Sequence, residues 1–342
     1  MKGRVWEWWR APIWAIQLAT GAKSFVDNPI LGSPRLNRLG LHVGRVRLAH
    51  RLAWWRRQRL TRHLPPEDRI AFDREGYVCI PNFLPEAEFA ELQHYLLTLD
   101  GIAREHRQGD TVTRRVPIDD QLIRQSPELR GLLRAKRWRA LMKYVASTAG
   151  EPLYYLQSIV TGHDGPPDPQ LQLHADAFHP SLKAWLFLTG VAENEAPLTY
   201  VAGSHRLTPA RLAWEKSKSA TVRADGDRLS QRGSFRIEMD ELLQLGLPAP
   251  TKFAVPANTL VAIDTFGFHA RGTADRPIVR AELWAYRRRS PFLPWTGLAL
   301  LSLPVMALKR AQWAFRLTDF LDRLGLLQQH WTLSARKRAL DR

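Results

Sequence analysis

Short apolar segments separated by turns follow one another from Pro152 to Arg287, and this pattern restricts the fold more than any other feature. The predicted strands are Leu153–Thr161, Leu171–Phe178, Leu182–Thr189, Leu198–Val201, Lys252–Val255, Thr259–Thr265 and Ile278–Arg287. Many short strands with turn-rich connections are typical of antiparallel two-sheet folds. Helices predicted at Glu86–Leu97 and Pro127–Ala149 precede them. We therefore expect an α+β fold with a double-stranded β-helix core, of the jelly-roll or cupin-like kind, supporting helices, and helical N- and C-terminal extensions.

The basic charge of the chain lies at its two ends. The net charge is +17; residues 1–62 carry 13 Lys and Arg against two acidic residues, and residues 291–342 carry 8 against three. The middle of the chain is therefore close to neutral. This division predicts a basic, Trp- and Arg-rich helical extension (1–62), a catalytic domain (63–290) and a basic amphipathic helical tail (291–342). Basic ends are typical of proteins that contact an anionic surface.

Helical patterns at both ends place apolar residues on one face and arginines beside them. The apolar faces consist of Trp6, Trp9, Ile13 and Ile16, then Leu48, Leu52 and Trp55, and finally Trp313, Leu317, Phe320 and Leu324. Indoles next to guanidinium groups suit the bilayer interface, so we expect contact with an anionic membrane surface. Packing on the catalytic domain, with the arginines in solvent, is the alternative, and a transit peptide is a third for residues 1–62. The apolar segment Trp295–Leu308 is too short to span a bilayer.

The cellular location is predicted from one cysteine and from the N-terminal pattern. Cys79 is the only cysteine, which excludes an intrachain disulfide and is typical of a reducing compartment. A secretory signal is not expected, because the N-terminal sequence has no clean apolar stretch before a small-residue cleavage site. We expect a cytoplasmic protein, peripheral on the cytoplasmic face of a membrane.

The chemistry of the chain is indicated by His174 and Asp176, two residues apart in the predicted strand Leu171–Phe178. Side chains at i and i+2 of a strand point to the same face, so an imidazole and a carboxylate would converge. These are two thirds of a 2-His-1-carboxylate set, which is typical of non-haem Fe(II) oxygenases. His269 follows another apolar strand and can supply the third ligand. Arg280, in the last predicted strand, needs an anion as its partner if it points into an apolar roll.

The ordered set of motifs resembles the phytanoyl-CoA dioxygenase-like Fe(II)/2-oxoglutarate oxygenases over about residues 68–290. The resemblance rests on Glu75–Leu84, His174-Ala-Asp176, Lys183–Leu188, Asn194–His205, His269 and Arg280. It implies that His174, Asp176 and His269 bind Fe(II) and that Arg280 holds the distal carboxylate of 2-oxoglutarate. O2 would be the second co-substrate. Halogenating members of the family have a small residue in place of the acid, so Asp176 implies hydroxylation.

Two further positions are assigned by the same resemblance. Gln157, 17 residues before His174, stands where such enzymes often have a polar active-site side chain. The family often has a serine two residues after the distal histidine, where this chain has Arg271, and Thr273 is a candidate to replace that hydroxyl. A glycine is frequent where Glu195 stands.

The charge pattern leaves several substrate classes open. A membrane-associated lipid or lipid-linked glycan, such as lipopolysaccharide, agrees with the basic ends around a neutral core. A soluble acyl-CoA or other small metabolite is the alternative if the ends only pack. Nucleic acid is disfavoured because the charge lies at the termini instead of around the predicted site. A metal-free binding protein is disfavoured by the intact ligand set. The oligomeric state is not predicted.

Overall fold

The structure is a computed structural model that describes residues 8–297, 310–325 and 329–342. Trp6 and most of the apolar segment Trp295–Leu308 lie outside the described residues. Both terminal regions contain helices, and further helices lie between them and support the large sheet. The α-helices of the described residues are α1 (Ala11–Leu18), α2 (Pro34–Arg38), α3 (Leu41–Gln58), α4 (Pro66–Glu75), α5 (Glu86–Thr98), α6 (Asp120–Gln125), α7 (Pro127–Arg134), α8 (Lys136–Ala146), α9 (Pro209–Asp225), α10 (Arg228–Gln231), α11 (Met239–Gln244) and α12 (Arg310–Arg323).

The helix boundaries follow from capping residues and backbone breaks. α7 begins at Pro127, and the side chain of Ser126 accepts a hydrogen bond from the backbone N–H of Leu129. The predicted helix Pro127–Ala149 is divided into α7 and α8 because Ala135 has an extended ψ of 132°. α4 ends at Gly76, whose φ of 84° is a left-handed conformation that glycine adopts without strain.

The strands form two antiparallel sheets, as expected for the predicted double-stranded β-helix. They are β1 (Tyr77–Ile80), β2 (Gly101–Gln108), β3 (Thr111–Pro117), β4 (Leu153–Val160), β5 (Leu182–Phe187), β6 (Leu198–Tyr200), β7 (Thr251–Lys252), β8 (Leu260–Asp264), β9 (His269–Arg271), β10 (Val279–Arg287) and β11 (Thr332–Lys337). The eight-stranded sheet has the order β1-β8-β5-β10-β4-β3-β2-β11, and the three-stranded sheet has the order β7-β6-β9. The prediction of a jelly-roll core with supporting helices is confirmed.

The two faces of the large sheet have different partners. On β10, Leu283 and its neighbours Ala281 and Ala285 belong to the core that α4, α5, α7 and α8 cover. Trp284 faces the other way, into a cluster that includes Tyr200 from the small sheet. Because side chains alternate along a strand, Arg280 and Trp284 border the same cavity between the sheets. The core thus holds one face of the sheet rigid and leaves the other for the site.

Three predicted elements differ from the structure. Residues 100–120, which their polar composition predicts to be irregular, instead form the hairpin β2–β3. The tail is not purely helical, because β11 pairs with β2 and extends the large sheet. The predicted strand Leu171–Phe178 contains only a single bridge residue, His174. The backbone of this segment bonds to His269, Phe235 and Thr265 in turn, so no one partner strand runs along it.

The arginines of α3 do not all lie in solvent, contrary to what the packing alternative had supposed. Arg57 donates to the backbone carbonyls of Tyr144 and Val145 and to Asp264 at 2.8 Å. Arg56 donates to the carbonyls of Ser147 and Leu293. Buried guanidinium groups require such partners. Residues 41–58 are therefore bound tightly to the catalytic domain.

Candidate active site and metal centre

The side chains of His174, Asp176 and His269 converge at the small sheet. Each can offer one ligand atom, and these atoms lie within 4.8 Å of one another; no other group of three His, Cys, Asp or Glu side chains does so within the described parts of the chain. The backbones of His174 and His269 exchange two hydrogen bonds of 3.0 Å, and the N–H of Asp176 bonds to the carbonyl of Thr265. The backbone alone therefore places the three residues beside one another.

Both histidines are held with the same ring nitrogen toward the centre. Nδ1 of His174 lies 2.8 Å from the carbonyl of Gln172, and Nδ1 of His269 lies 2.9 Å from the carbonyl of Gly267. A carbonyl only accepts, so each Nδ1 carries the proton and each Nε2 presents a lone pair. A side chain at Gly267 would lie 1.8 Å from the hydroxyl of Tyr200, so glycine is required at this turn. Such carbonyl contacts orient histidine ligands in metal sites.

The protonation states suit a divalent metal. Burial, followed by the charge of His269, lowers the pKa of His174 to about 4, so its imidazole is neutral. Burial opposes ionisation of Asp176, but the charges of Lys183 and His269 outweigh it and hold its pKa well below the ordinary value. Oδ1 of Asp176 lies 3.6 Å from Nε2 of His174 and 3.5 Å from Nε2 of His269. The neutral imidazole of His174, the carboxylate of Asp176 and Nε2 of His269 lie on one side of a point, an arrangement that fits Fe(II).

Two lysines contact Asp176, one at its side chain and one at its backbone carbonyl. Nζ of Lys183 lies 2.7 Å from Oδ2, the outer carboxylate oxygen, and 3.5 Å from Nε2 of His269. Lys23, from the loop after α1, donates to the backbone carbonyl of Asp176 at 2.5 Å. That loop is in turn held by Arg45, which donates to the carbonyls of Leu18, Thr20 and Ala22. The N-terminal region thus forms part of the wall of the metal centre.

A cavity of about 310 Å³ opens beside the two histidines and is bordered by the large sheet. Its polar wall follows the strand register, in which Arg115, Gln157 and Glu282 are direct neighbours across β3, β4 and β10. Arg115 donates to Oε1 of Gln157, and Nε2 of Gln157 donates to Oε1 of Glu282. The predicted position of Gln157 in the cavity wall agrees with this arrangement, although both ends of its amide are occupied by protein groups.

Arg280 lies on the cavity wall, next to this row. Nη1 donates to the carbonyl of Ala196 at 2.5 Å, and Nε lies 3.7 Å from Oε2 of Glu282. Nε of Arg280 and Oε2 of Glu282 are buried and have no hydrogen-bond partner within the described chain. Burial lowers the pKa of Arg280 and raises that of Glu282. A dicarboxylate that entered the cavity would meet a guanidinium whose charge is only partly balanced.

Thr273 lies apart from the other predicted site residues. It borders a separate cavity of about 220 Å³, and its carbonyl accepts a bond from the backbone N–H of Ala196. β9 ends at Arg271, so the alternation that turns His269 and Arg271 toward the first cavity does not continue to Thr273. Arg271 occupies that wall and pairs with Asp168 at 2.5 Å. The expectation that Thr273 supplies a hydroxyl there has no support in this placement.

Several cavity residues escaped the sequence analysis. Arg115 lies 3.7 Å from the ring centroid of Trp284 and 4.6 Å from that of Trp331. Two adjacent arginines, Arg114 and Arg115, hide the alternation of its strand in the sequence, and Trp331 comes from the tail, which has no sequence signal for its partner. Lys183 was part of a recognised motif without an assigned contact. Lys23 belongs to no sequence motif that could have marked it.

Comparison with known proteins adds the family. Residues 72–240 match the family model described as Phytanoyl-CoA dioxygenase (PhyH). No curated protein sequence matches the chain. Among solved structures, the epimerase SnoN from nogalamycin biosynthesis is similar with 22% identity over 70% of this chain and 89% of that one, at a TM-score of 0.44. HygX from Streptomyces hygroscopicus, bound to nickel, 2-oxoglutarate and hygromycin B, is 17% identical over 65% and 86%, at 0.40. EctD from S. alaskensis with bound Fe is 17% identical over 68% and 83%, at 0.39.

The family match covers His174 and Asp176 and the entry motif at Glu75, and His269 and Arg280 follow it in the same domain. The predicted cofactors, Fe(II) and 2-oxoglutarate, are those of the family. The chain carries a phytanoyl-CoA dioxygenase (PhyH) family domain and is a phytanoyl-CoA dioxygenase-like, Fe(II)- and 2-oxoglutarate-dependent oxygenase.

Proposed function

We propose that the protein is a hydroxylase of a membrane-associated substrate, a lipid or a lipid-linked glycan such as lipopolysaccharide, and that it works as a peripheral protein on the cytoplasmic face. The observation that carries this proposal is the orientation of the terminal helices, which expose apolar faces to solvent. α1, α3 and α12 each turn apolar side chains to solvent while other side chains attach the helix to the domain. Exposed apolar stripes beside basic residues favour the membrane interface.

α12 has the clearest of these stripes. Trp313, Leu317, Phe320 and Leu324 are between 42% and 58% exposed. The helix attaches through its other face, where Gln312 donates to Asp119 at 2.8 Å and Asp319 pairs with Arg104. An amphipathic helix normally buries its apolar face in the domain. The inner face of α12 also carries Phe315, which packs against the core beside Tyr155. The stripe points the other way, and it leaves an apolar surface without a protein partner among the described residues.

The N-terminal helices repeat the arrangement. Trp9, Ile13 and Ile16 are between 49% and 72% exposed, and they recur at a helical spacing. On α3, Leu48 and Trp55 are exposed, whereas the arginines on the inner face are buried. Both ends of the chain therefore offer indoles and aliphatic groups to a surface, with Arg47 and Arg51 exposed beside them. In the described part of the chain, no helix is long and apolar enough to cross a membrane.

The terminal regions also adjoin the candidate metal centre. Trp331, from the segment after α12, borders the cavity, and its ring lies 6.2 Å from that of Phe315 on α12. At the other end, Lys23 follows α1 by five residues and bonds to Asp176. A surface that bound α1 and α12 would lie near the cavity, which supports delivery of the substrate from that surface.

The roles of the site residues are part of the proposal. His174, Asp176 and His269 would hold Fe(II), and Arg280 would bind the distal carboxylate of 2-oxoglutarate. Bound Fe(II), with 2-oxoglutarate and O2, supplies the oxidising power that inserts oxygen into a C–H bond. The chain itself orients both imidazoles through carbonyl contacts at Nδ1, neutralises the outer oxygen of Asp176 through Lys183, and borders the cavity with Trp185 and Trp284, which limit water there.

The test is Fe(II)-dependent succinate release from 2-oxoglutarate, measured with a panel of lipid extracts and with soluble acyl-CoAs. We expect one lipid fraction to stimulate release. The double variant Leu317→Ser, Phe320→Ser should lose about 30-fold or more of that stimulation, because each side chain transfers roughly 1–2 kcal/mol less favourably and the two losses add. Leu243→Ser, an exposed leucine on α11, is the matched control and should behave as wild type. Stimulation by a soluble acyl-CoA that is equal in all three proteins would refute the proposal.

A further inference from the structure

A groove of about 370 Å³ lies where the chain after α3 meets one face of α8, outside the candidate active site. Nine residues line it, and six of them are basic: Arg59, Arg62, Arg134, Lys136, Arg139 and Lys143. None of the nine is Asp or Glu. A concave surface with charges of one sign concentrates the field and attracts counter-ions.

The positive charges of the groove are largely unbalanced. Arg139 pairs with Glu151 at 2.8 Å. Within residues 8–297 and the described parts of the tail, the other five make no ion pair with a carboxylate. Burial and then the charge of Arg139 lower the pKa of Lys143, as expected when like charges share a site. An anion in the groove would relieve this repulsion.

The start of α8 adds to the positive field. The helix has no acidic residue in its first turn and no side chain that caps its N-terminal N–H groups. Lys136 and Arg139 instead place cations at the positive end of the helix dipole, which is unfavourable without an anion. Free N–H groups at a helix N-terminus commonly bind phosphate, and several Arg side chains nearby can bind the same oxygens with two N–H groups each.

The neighbouring surface of α3 indicates a lipid as the source of the phosphate. The exposed stripe of Leu48 and Trp55 runs along α3 toward the groove. The guanidinium carbon of Arg59 lies 3.3 Å from the ring centroid of Trp55, so the indole lies between the apolar stripe and the basic groove. An apolar surface, then an indole, then cations is the order found across the boundary between acyl chains and headgroups.

We propose that this groove binds the phosphate of an anionic lipid headgroup. The inference deepens the proposed function, on which it rests for the membrane surface, by naming a headgroup site separate from the metal centre. Nucleic acid also carries phosphate, but an apolar stripe beside the groove gives it no advantage, whereas a lipid uses both surfaces.

The experiment compares the full-length protein with two triple variants on phosphatidylcholine vesicles, with and without phosphatidic acid. The groove variant is Arg62→Gln, Arg134→Gln, Lys136→Gln; all three side chains are exposed and unpaired in the described chain, so folding is retained. The control variant, Arg228→Gln, Arg232→Gln, Lys252→Gln, removes the same charge from exposed positions elsewhere.

We expect the groove variant to lose about 100-fold in partition onto vesicles that contain phosphatidic acid, since each cation near an anionic membrane contributes roughly fivefold. The control variant should lose little. Uncoupled 2-oxoglutarate turnover should be unchanged in both, which separates this test from the test of lipid stimulation. Equal losses in both variants would mean that vesicle binding depends only on the net charge of the protein, and this result would overturn the proposal. So would equally tight binding of inorganic pyrophosphate in solution without vesicle binding, or a stronger groove-dependent binding of duplex DNA.

Discussion

Arg57→Met should destabilise the whole catalytic domain, although Arg57 belongs to the N-terminal extension. Both Arg57 and its partner Asp264 are 1% exposed, and their charged atoms lie 2.8 Å apart. The same guanidinium donates to two carbonyls at the end of α8, those of Tyr144 and Val145. Methionine keeps the length of the side chain and removes all of these bonds.

The expected loss follows from the charge that the substitution leaves behind. Removal of one partner of a buried ion pair costs about 3–5 kcal/mol, because the other charge stays buried without its counter-ion. Asp264 retains hydrogen bonds from the backbone N–H groups of Ser181 and Phe266 at 3.2 and 3.1 Å, which favours the lower end of this range. Roughly 3 kcal/mol is a large share of a net stability of about 5–15 kcal/mol.

Arg59→Met is the matched control, because Arg59 immediately follows α3 and its side chain is exposed. Its main contact is the ring of Trp55, which is worth about 0.5–1 kcal/mol at an exposed site. Urea unfolding followed by tryptophan fluorescence gives both values, with the slope m unchanged if the native fold is kept. Adding Asp264→Asn to Arg57→Met should recover part of the loss, since the stranded charge is gone.

Equal effects of Arg57→Met and Arg59→Met would refute this reasoning. Residues 1–62 would then behave as an extension that packs loosely on the domain. A large loss from Arg57→Met alone would show that α3 is part of the folding unit.

Three further predictions concern the site and the buried histidines. Asp176→Ala should abolish hydroxylation and weaken Fe(II) binding, measured by succinate release and metal titration, because one of three ligand atoms is lost. Arg280→Ala should raise the KM for 2-oxoglutarate about 10- to 150-fold through loss of a charged contact of roughly 1.5–3 kcal/mol, whereas Arg276→Ala, whose side chain is 70% exposed, should not; an unchanged KM would reassign Arg280. Burial, and then the charge of Arg57, hold the pKa of His50 well below 6.5, so the unfolded chain binds its proton first and stability should fall as the pH drops below about 6.5. His50→Leu should make the pH slope of the unfolding free energy between about pH 6 and 5 shallower by up to about 1.4 kcal/mol per unit; an unchanged slope would contradict a neutral buried His50.

The metal centre was largely predictable from the sequence, for a reason that did not depend on the predicted strand. His174 and Asp176 were expected to share a face through strand alternation, yet only His174 forms a bridge. The two residues still converge with His269, because backbone bonds to His269 and Thr265 fix each one separately. The spacing predicted the right neighbours, while the partners that impose the geometry lie about 90 residues away and carry no local signal.

The cavity was predictable only in part. Arg280 and Gln157 lie on strands that have clear alternation, and both border the cavity. Arg115 lies on β3 next to Arg114, and consecutive residues of a strand point to opposite faces of the sheet. Since each face therefore receives one arginine, the strand shows no alternation of apolar and polar residues at this point. A sequence pattern of apolar and polar residues assumes that charges face water, and it fails wherever a strand uses arginine as a wall residue.

The terminal helices show why a sequence can specify a face without specifying its partner. The periodicity of α12 correctly separates Trp313, Leu317 and Phe320 from the polar residues, but the domain binds the opposite face, where Gln312 and Asp319 lie with the single aromatic residue Phe315. The bonds that decide this join Gln312 to Asp119 and Asp319 to Arg104, across about 200 residues of chain. The packing of Phe315 beside Tyr155 adds an apolar contact on the same inner face. Together these contacts give the exposed stripe a fixed outward direction, which is the physical basis for the proposed membrane contact beside the cavity.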